Sequence, residues 1–277
     1  TRAKRQGRDS ICEFSATQMQ ELEDRLVVGA RLREAIARDE LSLHYQPQLS
    51  AADLRITGFE ALVRWTSPDL GPVPPGRFIP IAESLGLMPE VGLWVLNEAC
   101  RQLRAWADAG MAMPPVAINL SARQVDERLP ETVEKALNRH GVLPSQLKLE
   151  ITESLVMRNP EMVLPVLNQL VAMGLSIALD DFGTGYSSLS HVHKLPLTKI
   201  KIDGSFVRDI QKHQSSFKIV KSVLALCAEM DLKAIVEGVE TEEELQILES
   251  LGVEAVQGFY FSRPQKAEET LAWFADR

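Results

Sequence analysis

Short β-like runs recur along this chain, and amphipathic helical patterns fill most of the gaps between them. The runs are Leu41–Gln46, Ile56–Trp65, Val116–Leu120, Leu147–Thr152, Ser176–Asp180, Lys199–Asp203, Ala234–Glu237 and Ala255–Phe259. Apolar residues recur at helical spacing over Gly92–Ala109, Glu131–His140, Pro160–Met173, Ser216–Met230 and Glu242–Leu251. Strands alternating with helices predict an α/β chain with a parallel sheet, and the count of eight favours a closed (β/α)8 barrel of the TIM type. A length of 277 residues suits one such barrel plus a lead-in. An open doubly wound sheet is the alternative, but no run is followed by a G-x-G-x-x-G turn. Only Leu49–Arg55 separates the first two runs, too little for a helical crossover, so the first strand is expected to run antiparallel to the rest. Ahead of it, Ser15–Arg38 repeats apolar residues at helical spacing, with Ser15 or Thr17 as a cap.

Charge and cysteine content narrow the classes of function. Apolar residues at 45% allow a large core, and a net charge of −8 argues against a surface that coats a nucleic-acid polymer. An anionic ligand stays possible if a divalent cation mediates the contact. Cys12, Cys100 and Cys227 are far apart and sparse, which fits a reducing, cytoplasmic compartment with no disulfide framework. No apolar run approaches a membrane span, although missing N-terminal domains could attach a longer protein to a membrane. The opening Thr1-Arg2-Ala3-Lys4-Arg5-Gln6 reads as the tail of something longer.

Polar residues gather at one end of the predicted strands. Glu60, Asn119, Glu150, Asp180-Asp181, Lys201 with Asp203, Glu237 and Gln257 fall at or near successive C-terminal ends. In an α/β barrel those ends converge on one mouth, where the chemistry is built. That many buried carboxylates demand a countercharge, and Lys201 with Arg64 cannot supply it. Oxygen-only ligands without His or Cys select hard ions such as Mg²⁺ or Mn²⁺ over Zn²⁺. The histidines His44, His140, His191, His193 and His213 end no strand, so a zinc site at His191 and His193 is disfavoured. Carboxylates bridging two hard cations suit phosphoryl chemistry, and a nearby lysine can position the attacking water. Gly183 and Gly185, after the paired aspartates, give the following loop backbone freedom.

Each residue also has an ordinary explanation. Asn119 alone reads as a turn former or cap, and Asp203 before Gly204-Ser205 reads equally as a cap or a site residue. Glu240 and Glu242–Glu244 read mostly as solvated charges at a helix start. Such explanations do not account for carboxylates and amides at the same end of successive strands. Lys201 as a Schiff-base nucleophile is a further reading, disfavoured because crowded acids hold an amine protonated.

An ordered series of motifs resembles the EAL domains, the bacterial cyclic di-GMP phosphodiesterases. The series is Tyr45-Gln46-Pro47, Glu60-Ala61-Leu62 with Arg64-Trp65, Phe78–Glu83, Asn119-Leu120-Ser121, Glu150–Ser154, Asp180–Gly185, Lys199–Asp203, Glu237–Thr241 and Gln257-Gly258-Phe259. The resemblance implies metal-dependent hydrolysis of cyclic di-GMP to linear pGpG, with two Mg²⁺ or Mn²⁺ ions and inhibition by Ca²⁺. It implies Glu60, Asn119, Glu150, Asp180, Asp181 and Glu237 as metal ligands, and Lys201 and Gln257 beside the attacking water. It further implies Glu153 as a stabiliser of the loop that starts at Asp181, and Gln46, Leu62 and Arg64 as substrate contacts. Family members commonly form homodimers through the region that here is about 186–207. Residues 1–14 resemble the end of a GGDEF domain, leaving 15–277 as the EAL barrel. A binding module that relays ligand occupancy to a neighbouring domain is the competing function.

Overall fold

A computed structural model describes residues 16–183 and 192–275 of the chain. The GGDEF-like tail expected over 1–14, and residues 184–191 within the loop and the expected dimerisation region, lie outside the described residues. Eight strands close a barrel. Strand β1 (Leu41–Ser50) pairs antiparallel with β2 (Ile56–Ser67), from Leu41 opposite Trp65 to Leu49 opposite Ile56. A short β3 (Gly71–Val73) folds back on the end of β2 outside the barrel. From β2 the sheet runs parallel through β4 (Val116–Leu120), β5 (Leu147–Thr152), β6 (Ser176–Phe182), β7 (Lys199–Ile202), β8 (Lys233–Val236) and β9 (Ala255–Val256). Strand β9 meets β1 antiparallel and completes the ring, so β1 is the one reversed stave.

Among the described residues the helices are α1 (Ala16–Ala37), α2 (Pro75–Leu85), α3 (Met88–Asp108), α4 (Leu129–His140) and α5 (Glu153–Arg158). They continue with α6 (Pro160–Ala172), α7 (Gln214–Glu229), α8 (Glu242–Ser250) and α9 (Ala267–Ala275). None is long and apolar enough to cross a membrane. Local chemistry sets several ends. Pro75 opens α2, where its missing N–H is not needed, and Gly86 closes it at φ +73° by donating to Ala82 and Glu83 carbonyls. A capping box starts α8: Thr241 Oγ1 accepts from Glu244 N, and the Glu244 carboxylate accepts from Thr241 N.

Two features were not anticipated by the strand and helix patterns. Pro72 lies within β3, Pro74 and Pro75 lead into α2, and Pro80 sits inside that helix, none of them part of the helical patterns read from the sequence. Strand β1 also continues past Pro47, where the apolar pattern stops at Gln46. Pro47 is tolerated because β9 pairs only with Leu49 and Ser50 and requires no N–H from it.

Strand periodicity sorts side chains into two layers. On β5, Leu147, Leu149 and Ile151 are fully buried against the helices, so Lys148, Glu150 and Thr152 point to the barrel axis. The same alternation sends Ile200 and Ile202 outward on β7 and Lys199 and Lys201 inward. The apolar core is therefore the shell between strands and helices, while the axis is polar. Aromatic contacts seal part of that shell, with Tyr45 edge-on to Trp106 at 4.9 Å between centroids.

Candidate active site

The site is organised around one buried cation. Lys201, on β7, is only 1% exposed. Its Nζ lies 2.5 Å from Glu150 Oε2, 2.6 Å from Glu237 Oε1, and 3.3 Å from both Glu60 Oε2 and Asp180 Oδ1. A buried ammonium is tolerated only when paired. Here four carboxylates, from β2, β5, β6 and the end of β8, surround it at the mouth. Burial works to strip the Lys201 proton, but Glu150, Glu60, Glu237 and Asp180 outweigh it and hold the pKa well above the ordinary lysine value.

One ammonium does not balance four acids, and the carboxylates register the excess. Burial, reinforced by Glu60 and Asp180, raises Glu150 well above its ordinary value against the pull of Lys201. Burial and the same two neighbours push Glu237 up to about 8. Burial acts on Glu60 too, but Lys201 and hydrogen bonds from Gln257 and Asn119 hold it below the ordinary value. Gln257 Nε2 donates to Glu60 Oε2 at 2.7 Å and to Gln46 Oε1 at 3.1 Å. Asn119 Nδ2 donates to Glu60 Oε1 at 2.7 Å, and Gln46 Nε2 donates to the Ser262 carbonyl at 3.1 Å.

Adjacent strand residues normally face opposite ways, so Asp180 and Asp181 need a local device to share the mouth. The register between β6 and β7 slips between Leu179 and Phe182, and Asp181 adopts φ +55°. Its N–H donates to Asp180 Oδ1 at 2.9 Å. Burial, then Asp180 and Asp203, raise the Asp181 pKa. Asp203 itself is a cap, its Oδ1 accepting from Ser205 N at 3.0 Å. The residue that read equally as a cap or a site residue thus serves as a cap.

Other expected residues flank the acids. Glu153 is buried at the start of α5. Leu62, Arg64 and Asn119 line a cavity of about 360 Å³, walled by Ile79, Met88 and Val91 and open to Glu83 and Gln124. Arg64 is half-buried and donates to the Val63 carbonyl at 3.0 Å. Sequence reading missed Gln48, a buried residue below the acids whose Nε2 donates to Glu150 Oε1 at 3.4 Å. Its signal was the two-residue spacing from Gln46, which puts both on the axis side of β1. Deeper still, burial and neighbouring Lys199 push Lys148 down to about 8. Polar side chains thus fill the axis well below the mouth.

Oxygen ligands from Glu60, Glu150 and Asp180 lie within 4.8 Å of one another, all buried. Carboxylate oxygens with no His or Cys among them, carrying surplus negative charge, fit a hard divalent cation. The fold and site define an α/β barrel with an acidic, cation-ready mouth. Residues 30–264 match the EAL domain family, and the chain belongs to that family. It is 44% identical over 271 residues to the bifunctional diguanylate cyclase/cyclic di-GMP phosphodiesterase MucR of Pseudomonas aeruginosa, covering 98% of this chain and 40% of MucR. It is 40% identical over 259 residues to the cyclic di-GMP phosphodiesterase NbdA of the same organism, covering 93% of this chain and 33% of NbdA. The solved PaMucR phosphodiesterase in complex with c-di-GMP superposes with a TM-score of 0.84 at 44% identity, over 88% of this chain and 99% of that one. The chain therefore spans well under half of these full-length relatives.

Proposed function

We propose that this barrel hydrolyses one phosphodiester of cyclic di-GMP to give linear pGpG. The observation that carries the reading is the cluster of Glu60, Glu150, Asp180 and Glu237 around Lys201 at the mouth of an EAL-family barrel. The relatives named for this activity, and the related structure holding c-di-GMP, support it.

Two Mg²⁺ or Mn²⁺ ions held by Glu60, Asn119, Glu150, Asp180, Asp181 and Glu237 would place positive charge on the phosphate oxygens and acidify a water. Lys201, released from some of its carboxylates when that charge is matched, orients the attacking water and stabilises charge on the equatorial oxygens. Gln257 holds Glu60 and Gln46 in place beside it. Water adds to phosphorus as the bond to the 3′ oxygen breaks. The 3′ oxygen takes a proton, and the 5′-phosphate stays on the product. Arg64 binds a phosphate oxygen, Gln46 and Leu62 hold the ligand, and the apolar cavity beside Leu62 accommodates a purine. Glu153 steadies the loop that begins at Asp181. The same oxygens would also hold Ca²⁺, which would inhibit by displacing the working ions. The chain works in the cytoplasm as a homodimer through 186–207, beside an upstream GGDEF domain.

Incubation of the purified chain with cyclic di-GMP and Mg²⁺ or Mn²⁺ is expected to yield pGpG on chromatography, and Glu60→Gln to abolish that yield while leaving folding intact. Tight binding without turnover in either metal would overturn the enzymatic reading in favour of a receptor that relays ligand occupancy.

A further inference from the structure

The short turn after β7 touches two strand-end loops at once. Asp203 caps this 3₁₀ turn, Gly204–Phe206. On one side lies Gly183, at φ +96°, two residues beyond Asp181. A Cβ on Gly183 would stand 3.0 Å from Phe206 Cε2 and 3.2 Å from Cζ, so the glycine backbone rests directly on the phenyl ring. On the other side lies Gly238, at φ +71°, immediately after Glu237. A Cβ there would stand 2.8 Å from Gly204 Cα, which makes this a backbone-on-backbone contact. The loop of Asp181 and the loop of Glu237 thus press against opposite ends of one three-residue turn.

Asp181 needs such support. It is a non-glycine residue in the left-handed conformation, which costs an L residue backbone energy, though less for an aspartate than for most. Its own strand cannot impose it, because the ladder to β7 is broken between Leu179 and Phe182. Phe206 is partly buried and packs against the apolar core, which restrains its ring.

We propose that Phe206 is a positioning residue that holds Asp181 in its left-handed conformation and, through Gly204 and Gly238, keeps it in register with Glu237. Under the two-cation reading, Asp181 and Glu237 would hold a cation apart from the one that Glu60, Glu150 and Asp180 would hold, and Phe206 would set the affinity of the former more than that of the latter. The inference rests on the two-cation reading of the site. Its test combines Mn²⁺ titration, followed by electron paramagnetic resonance, with amide hydrogen exchange on the metal-free protein. Phe206→Ala is expected to weaken one of the two Mn²⁺ steps tenfold or more and leave the other within about threefold. Exchange is expected to speed up at 181–183 and at 237–239 together. Phe206→Leu, which keeps apolar bulk without the ring, should show the same pattern at smaller amplitude and serves if the alanine variant does not fold. Unchanged Mn²⁺ steps, equal weakening of both steps, or faster exchange confined to 204–207 would overturn the proposal. A wild-type protein that binds a single Mn²⁺ would sink the two-cation reading, whereas the exchange pattern reports on Phe206 without any metal.

Discussion

Replacing Lys201 by methionine should destabilise the metal-free protein far more than the metal-loaded one. Methionine nearly conserves side-chain volume, so the change removes charge and leaves little cavity. The four carboxylates within 3.3 Å of Nζ then lose their shared cation. Removing one partner of a buried ion pair costs about 3–5 kcal/mol. Proton uptake by Glu150 and Glu237, whose pKa values are already raised, keeps the loss from growing with the number of acids. At roughly 2–4 °C per kcal/mol for a chain near this size, the melting temperature should fall by about 6–20 °C in chelator. Saturating Mn²⁺ supplies replacement positive charge to carboxylates that the variant leaves unmatched, so the variant should bind it more tightly than the wild type and gain more stability from it. The deficit should therefore shrink to a few degrees. Differential scanning calorimetry of both proteins, with EDTA and with MnCl₂, measures the four values. An equal deficit in both conditions would show that Lys201 serves packing and not charge balance.

Three further outcomes follow from the structure. Glu237 has a folded pKa of about 8, raised above the unfolded carboxyl value, so its contribution to stability is present at acid pH and lost as pH rises toward about 8. Urea denaturation of the cation-free protein should show stability falling from pH 5.5 to 8.5, and calorimetric Mn²⁺ titrations in that range should release protons; a rise in stability with pH would contradict the assignment. Gly258→Ala would place a Cβ 2.0 Å from the Val239 carbonyl oxygen, a backbone atom that cannot step aside, and should cost about 1–3 kcal/mol and displace Gln257. Gly252→Ala, with φ +74° but no atom within 4 Å, isolates the conformational cost and should leave turnover unchanged in the same assay.

The sequence discloses the acids better than the arrangement that makes them useful. Glu60, Glu150 and Glu237 were legible because each falls on a β-like run or at its end, and the barrel brings such ends together. Asp180 and Asp181 were legible as a pair, but the register slip that lets both serve one mouth is a tertiary feature with no signature in residue type. Asp203 shows the limit plainly. Followed by Gly204-Ser205 it fits a cap and a site residue equally, and only the structure shows the cap, a 3.0 Å bond from Ser205 N. Gln48 escaped notice because an amide directly after Pro47, past the point where the apolar alternation stops, reads as a loop residue. Helix α2 escaped for a similar reason, since proline punctuation conceals a helix that uses Pro75 as its first residue.

The reversed first strand alters where the molecule can be pushed. Because β1 begins opposite Trp65, at the mouth end of β2, the polypeptide enters the barrel on the catalytic rim. In an all-parallel barrel the same entry would lie on the far face. Helix α1, which feeds β1, packs on α2 through the Asp24–Arg77 ion pair and reaches the β2–β3 turn through Arg31 and Asp69, 2.6 Å apart. Helix α2 in turn carries Ile79 and Glu83 along the cavity beside Leu62 and Arg64. A torque on the entering helix thus has one helix, and not a barrel's depth, to cross before it reaches the groove beside the reacting groups.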